Sequence, residues 1–187
     1  MRGNPLNDII LSVKRQTDIL ARRGDTRLPL LGDEPEFSDG EYRFTESLRT
    51  LLFECRIISD AVQLDPGPCQ LYAGFQKLSY FLEHGIRYKK LTHYATEVYV
   101  IGVPDVEVKS WAPNVHIVTR HTELIERHWF EIVYGRTIHI SLLAEEIPSP
   151  SGKSSYMGFY TTSRLMTEKI LRRLARLGIV GDPVLFE

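Results

Sequence analysis

The chain has few cysteines and no long apolar segment. Its two cysteines, Cys55 and Cys69, are too few for a disulfide framework in a protein of 187 residues. We interpret both as buried free thiols. No apolar run approaches the roughly 20 residues that span a bilayer, and the N-terminus lacks the apolar core and cleavage site of a signal peptide. The sequence therefore predicts a cytoplasmic protein that does not contact a membrane.

The chain also lacks an excess of charge of either sign. Lysine and arginine total 23 against 24 aspartates and glutamates, which gives a formal net charge of -1. No overall positive field therefore directs the protein to DNA, RNA or anionic lipid. What the chain does have is an ordinary globular composition, 43% hydrophobic and 25% charged. Its length and composition predict one folded domain, in which any site for an anion is a local cluster.

Hydrophobic periodicity predicts helices along much of the chain. An N-terminal helix begins after Asn4 and ends near Arg23, and an extended arm follows it. A second helix is predicted from Phe44 to the turn residues DPGP. One or two helices interrupted near Gly85 and a closing helix that ends near Gly178 complete the set.

Short β-rich runs lie between these helices. QLYAGF and EVYVIGVPD flank the interrupted helix and predict a β-α-β unit, and YMGFYT predicts a last strand. NVHIVT, WFEIVYG and TIHISLLAEE predict antiparallel neighbours, with a hairpin at Gly135 and Arg136. The predicted fold class is α+β, with a central, mainly antiparallel sheet and packed helices. Residues 1–43 would form the N-terminal helix and the arm, and residues 44–187 a single globular unit.

The sequence offers no motif for catalysis or metal binding. The loop SPSGKSSY has Ile147 where a phosphate-binding loop needs its first glycine, and it precedes a strand rather than a helix. The six histidines never take the spacing of a metal site. His139 and Ser141 share a strand face, but no nucleophile elbow surrounds them. We therefore predict a protein that is not an enzyme and that holds no metal and no cofactor.

Several short motifs lie between residues 44 and 177, and their order and spacing are informative. They are Gly74-Phe75-Gln76, Arg87-Tyr88 with Leu91, Val98 to Ile101 with Gly102-Val103-Pro104-Asp105, Trp129-Phe130 with Val133, Leu142 to Glu145, and Gly158-Phe159 with Thr161. Their order and spacing resemble the DICT sensory domain of bacterial diguanylate cyclases and two-component proteins, especially those of cyanobacteria. The resemblance implies a noncatalytic α/β sensor, often within cyclic di-GMP or light signalling. Because the length leaves no room for an output domain, we expect the signal to pass to a separate protein.

The segment ARRGDTR, residues 21–27, is the candidate site for an anion. Arg22 and Asp25 have the RxxD spacing that resembles the inhibitory site of diguanylate cyclases, and Arg23 and Arg27 have the RxxxR spacing that resembles PilZ receptors. Arginine binds phosphate and guanine edges and stacks on bases, and an aspartate accepts guanine N–H groups. A structural alternative stays open, because arginines in the last turn of a helix stabilise its end and a glycine commonly follows.

These observations together predict a receptor for a nucleotide second messenger, cyclic di-GMP, that passes its signal to a partner such as a transcription factor. Ligand-binding side chains from the arm would be Arg22, Arg23, Asp25 and Arg27. The resemblance adds Arg87 and Tyr88 from the sensor body. Direct binding to nucleic acid is not expected. The two-fold symmetry of the ligand favours a homodimer.

Two other functions remain open from the sequence. The first is a sensor for another small molecule or a light-linked signal, with a pocket lined by the apolar sheet face and Trp129. The second is a pure protein-interaction module that uses the arginines of the closing helix, Arg164, Arg172, Arg173 and Arg176.

Overall fold

The computed structural model describes residues 41–65, 67–147 and 155–181. In this part of the chain the strands are β1 (Glu41–Ser47), β2 (Cys69–Lys77), β3 (Glu97–Val103), β4 (Val115–Thr119), β5 (His128–Gly135), β6 (His139–Ile147) and β7 (Ser155–Thr161). The helices are α1 (Leu48–Leu64), α2 (Leu78–His84), α3 (Ile86–Leu91), α4 (Glu123–Arg127) and α5 (Arg164–Arg176).

The seven strands form one sheet in the order β1-β7-β6-β5-β2-β3-β4. Strands β1, β7, β6, β5 and β2 pair antiparallel, each with the next in that order. Strands β2, β3 and β4 pair parallel. The predicted β-α-β unit is confirmed, because β2 and β3 are parallel and α2 and α3 connect them. The predicted α+β class with a mainly antiparallel sheet is confirmed as well.

Helices cover both faces of the sheet. Strand residues alternate between the two faces, so Trp129 and Val133 of β5 belong to the apolar cluster that includes α1, α2 and α3. Phe130 and Ile132 belong to the cluster that includes α4 and α5. Every residue of β5 is buried, which explains its nearly continuous run of large apolar residues.

Helix α1 packs through the stripe that the sequence predicts. Leu51, Cys55, Ile58 and Val62 are fully buried, and burial of such side chains stabilises the fold by about 1.5–3 kcal/mol each. The start of the helix differs from the prediction at Phe44. Ser47 caps the helix by accepting a hydrogen bond from the Thr50 amide, and the residues before it form β1. Backbone pairing of β1 with β7 overrides the helical pattern of that segment.

The sequence prediction for β4 is wrong about its partner. It is not an antiparallel neighbour of β5 but an edge strand that lies parallel to β3. An alternating pattern specifies a strand without specifying which strand it pairs with.

The five-residue helix α4 was not predicted from the sequence, because it is too short to show a periodic pattern. Its N-terminus is capped by Thr122, whose hydroxyl accepts from the Ile125 amide.

Other predictions have mixed outcomes. Cys55 and Cys69 are free and buried, as expected. The predicted N-terminal helix and arm lie outside the described residues, and the proposed boundary after residue 43 falls within β1. No helix within the described ranges is both long enough and apolar enough to cross a membrane.

Candidate functional site

Two of the predicted site residues, Arg87 and Tyr88, meet a buried carboxylate. Both lie in the first turn of α3, and Glu131 lies in the middle of β5. Glu131 shares its sheet face with Trp129 and Val133, which is the face that α1 and α3 cover. It is 0% exposed, and it is 44 positions from Arg87 in sequence. The fold therefore brings together groups that no sequence motif connects.

Glu131 receives hydrogen bonds on both of its oxygens. Arg87 Nη2 donates to Oε2 over 2.9 Å, and the Tyr88 hydroxyl donates to the same oxygen over 2.7 Å. The Ser59 hydroxyl of α1 donates to Oε1 over 3.2 Å, and the Cys55 carbonyl, 3.0 Å away, is the alternative acceptor for the same hydrogen. We call Ser59, Arg87, Tyr88 and Glu131 the Glu131 cluster. It joins α1, α3 and β5 through one carboxylate.

Arg87 also makes contacts beyond Glu131. Its Nη2 donates to the Tyr88 hydroxyl over 2.7 Å, and its Nη1 donates to the Leu52 carbonyl over 3.4 Å. Its Nε is buried and has no hydrogen-bond partner among the described residues. The side chain of Arg87 is 20% exposed, whereas Tyr88 is 0% exposed. An anion that approaches the cluster would therefore meet Arg87 first.

Burial keeps the neighbouring titratable groups in defined protonation states. Burial, reinforced by the negative charge of Glu131, raises the pKa of Tyr88 well above its usual value, so the hydroxyl stays a donor. Burial lowers the pKa of Arg87, but Glu131, Tyr88 and Cys55 together outweigh it and the net pKa is raised. Burial and then Glu131 raise the pKa of the Cys55 thiol. Cys55 is therefore a protonated thiol and not an activated nucleophile.

The family resemblance identified Arg87 and Tyr88, whereas Ser59 and Glu131 were not predicted. Glu131 does carry a signal in the sequence, because it is the single charged residue in WFEIVYG, a run that is otherwise apolar and β-rich. A charge in such a strand needs a buried partner, because an uncompensated carboxylate is costly to remove from water. Arg22, Arg23, Asp25 and Arg27 lie outside the described residues. The ligand-binding role of all six predicted residues stays a prediction.

The described residues were searched for groups of side chains that could bind a metal ion. In the ranges 41–65, 67–147 and 155–181, no three or more histidine, cysteine, aspartate or glutamate side chains form a group that could hold a metal ion.

Comparison with known proteins places the cluster in a family segment. Residues 42–147 match the family model DICT, described as a sensory domain in diguanylate cyclases and two-component systems. The matched residues include α1, α3 and β5 in full, and with them every member of the Glu131 cluster. A search of curated proteins finds no match to this chain.

Proposed function

The chain belongs to the DICT family of sensory domains, and from this premise we propose that it is a non-catalytic receptor that binds cyclic di-GMP and passes the signal to a partner protein. The observation that carries the proposal is the match of residues 42–147 to a sensory domain of diguanylate cyclases and two-component systems. Diguanylate cyclases make cyclic di-GMP, so a sensory domain within one of them works where that ligand is present. The partner we propose is a transcription factor or another signalling protein in the cytoplasm.

The proposed ligand contacts begin with the arm. Arg22, Arg23 and Arg27 would bind the phosphates and stack on guanine, and Asp25 would accept guanine N–H groups. A cyclic dinucleotide carries two negative charges, and charge-assisted hydrogen bonds from arginine to phosphate are among the stronger polar contacts that proteins make. The formal net charge of -1 agrees with a local site of this kind, because the chain has no overall positive field.

The Glu131 cluster supplies a route for the signal. A ligand phosphate near Arg87 would compete with Glu131 for the guanidinium group, whose Nη2 already serves both Glu131 and Tyr88. Weakening that ion pair would change how α3 packs on β5 and on α1, because the cluster joins these three elements. A phosphate contact would in this way become a change in helix packing that a partner protein can detect.

Calorimetric titration of the full chain with cyclic di-GMP tests the proposal, with GTP and cyclic di-AMP as control ligands. We expect a dissociation constant in the micromolar range or below. The double substitution Arg23→Ala and Arg27→Ala should weaken binding by about tenfold or more, because each charge-assisted hydrogen bond contributes roughly 1.5–3 kcal/mol.

The chain contains a matched control for that pair. Arg172 and Arg176 of α5 have the same RxxxR spacing and are exposed, so their double alanine variant should bind as wild type does. If saturating cyclic di-GMP gives wild type neither heat nor thermal stabilisation, the receptor proposal is wrong. If both double variants weaken binding equally, the arm is not the site.

The ligand's two-fold symmetry makes a homodimer part of the proposal. Sedimentation velocity with and without cyclic di-GMP tests it. We expect a dimer when the ligand is saturating, and a monomer under that condition would contradict this part.

A protein-interaction module is the second candidate, and the exposed face of α5 favours it. Leu165 is 63% exposed and Leu177 is 40% exposed. Arg172, Arg173 and Arg176 are exposed on the same helix. Apolar side chains beside arginine are typical of the surfaces that bind other proteins. Under this candidate, Arg172→Glu would abolish partner binding in a chain that does not bind cyclic di-GMP.

A further inference from the structure

A cleft lies beside α4, on the sheet face opposite the Glu131 cluster. Its volume is about 310 Å³, and its lining residues are Glu123, Leu124, Arg127 and His128. His128 and Glu131 are both in β5, and an odd separation along a strand places them on opposite faces. The side chains of Glu123 and Arg127 are 83% and 50% exposed, so the cleft opens to solvent. His128, which also lines the cleft, is 1% exposed.

His128 presents an unsatisfied hydrogen-bonding group. Its Nδ1 lies 2.6 Å from the Leu124 carbonyl oxygen, and because a carbonyl only accepts, Nδ1 carries the hydrogen. Burial lowers the pKa of His128, so the neutral ring prevails and Nε2 holds a lone pair. Nε2 is buried and has no partner in the part of the chain that the structure describes. Such an acceptor calls for an N–H or O–H donor from outside the protein.

The outer part of the cleft pairs a carboxylate with a guanidinium group. Glu123 and Arg127 are one helical turn apart, and Arg127 Nη1 lies 3.4 Å from Glu123 Oε1. Arg127 Nη2 also pairs with Glu145, which anchors the guanidinium group to β6. A guanidinium has five N–H donors, so two ion pairs leave donors for a ligand. Leu124 supplies an apolar wall between these charged groups.

We propose that this cleft binds one guanine base of cyclic di-GMP. The inference rests on the proposed function and concerns a second molecule of the ligand, because the cleft and Arg87 lie on opposite faces of the sheet and one molecule does not reach both. Guanine offers N1–H and N2–H donors, which suit a carboxylate such as Glu123, and O6 and N7 acceptors, which suit an arginine such as Arg127. Adenine presents an amino donor where guanine has O6, so Arg127 would face a donor instead of an acceptor. The ring of a base would lie against Leu124.

The size of the cleft agrees with a single base. Ligand pockets range from roughly 300 to 1,000 Å³, so about 310 Å³ accommodates one base with part of its sugar. The second guanine and the phosphates of that molecule would lie outside it. His128 Nε2 would gain the donor it lacks from the same base, either directly or through a water molecule.

The test is calorimetric titration of the full chain with cyclic di-GMP and, separately, with GMP and AMP. The diagnostic variant is Glu123→Gln, and the matched control is Glu126→Gln, an exposed glutamate of α4 outside the cleft. We expect Glu123→Gln to weaken binding of cyclic di-GMP and GMP by about tenfold, because an amide N–H group would face guanine donors. Glu126→Gln should stay within about twofold of wild type.

The outcomes separate this inference from the proposed function. If wild type binds cyclic di-GMP and both variants bind equally well, the cleft is not a guanine site and the receptor proposal stands. If wild type binds GMP in preference to AMP with loss in Glu123→Gln, but does not bind cyclic di-GMP, the cleft inference stands for guanine alone and the receptor proposal fails. Absence of binding by all three nucleotides overturns both. Because Glu123 is largely exposed, its substitution leaves the fold intact.

Discussion

At the scale of single residues, the Glu131 cluster shows what a buried charge requires. Removing a carboxylate from water costs several kcal/mol, and its partners offset that cost only when its oxygens are hydrogen-bonded. Glu131 meets this condition through Arg87, Tyr88 and Ser59. The cluster therefore depends on each partner, because a missing partner leaves a charge that neither water nor protein compensates.

Replacing Arg87 by methionine tests this dependence. We expect Arg87→Met to lower the free energy of unfolding by about 3–5 kcal/mol, since it leaves Glu131 buried without its cation. Urea denaturation followed by circular dichroism measures the change. Lys89→Met is the control, because Lys89 is exposed on the same helix, and it should change stability by less than about 0.5 kcal/mol.

A double variant separates the charge effect from lost packing. Replacing Glu131 by glutamine in the Arg87→Met background removes the stranded charge, so part of the lost stability should return. If the free energy of unfolding of Arg87→Met is within about 1 kcal/mol of the wild-type value, the ion pair contributes little to stability. The cluster would then not hold the three elements together.

At the scale of elements, α5 is a helix whose end is determined by the local sequence. The sequence predicted a closing helix that ends near Gly178, and the helix does end there. The Gly178 amide donates to the Ala175 carbonyl and the Ile179 amide to the Leu174 carbonyl, which satisfies carbonyls of the last turn. Gly178 has a φ of 68°, the left-handed backbone that glycine adopts without steric cost.

Gly178→Ala isolates the cost of that backbone angle. A Cβ added at Gly178 or at Gly181 would have no heavy atom within 4 Å, so crowding is not a factor at either position. We expect Gly178→Ala to lower the free energy of unfolding by about 1 kcal/mol and Gly181→Ala to leave it unchanged in urea titrations. Equal midpoints for the two variants would show that the cap does not need glycine.

The elements that the sequence did not predict share a physical cause. The stripe of α1, the interrupted helices around Gly85 and the strands β2 and β3 all follow from local periodicity. Strand β1 exists because its backbone pairs with β7, from Glu41 opposite Thr161 to Ser47 opposite Ser155. The position of β4 depends on the loop that returns it beside β3. Pairing between distant segments is decided by the whole sheet and leaves no periodic signal.

The same reasoning applies to the candidate site. Arg87 and Tyr88 could be named from a resemblance, but their partners Ser59 and Glu131 come from other elements and meet them only in the folded sheet. The cleft residues Glu123 and Arg127 lie in a helix too short to predict. The family resemblance thus identified half of the Glu131 cluster, and nothing in the sequence indicated the cleft.

At the scale of the whole molecule, β1 is an edge strand of the sheet. Its pairing with β7 forms one end of the sheet. Without β1, strand β7 would present unpaired N–H and C=O groups along its whole length. An uncovered edge of this kind is a template for pairing with another chain.

Two truncations test the contribution of β1. A chain that starts at residue 41 keeps β1 and is the reference for the comparison. A chain that starts at residue 48 lacks β1 and should be less stable and form oligomers, because β7 becomes an open edge. Size-exclusion chromatography and urea titration measure both properties. A monomeric chain from residue 48 with unchanged stability would show that β1 is dispensable.

Strand β5 contributes residues to both the Glu131 cluster and the cleft beside α4. It carries Glu131 on one face and begins with His128 on the other, so the ion pair and the cleft share one backbone. Thermodynamic linkage makes any coupling between them reciprocal. If a ligand in the cleft alters the strength of the Arg87–Glu131 pair by some factor, loss of that pair alters the affinity for the ligand by the same factor. A single strand that is buried on both faces thus couples the free energies of two surfaces that face away from each other.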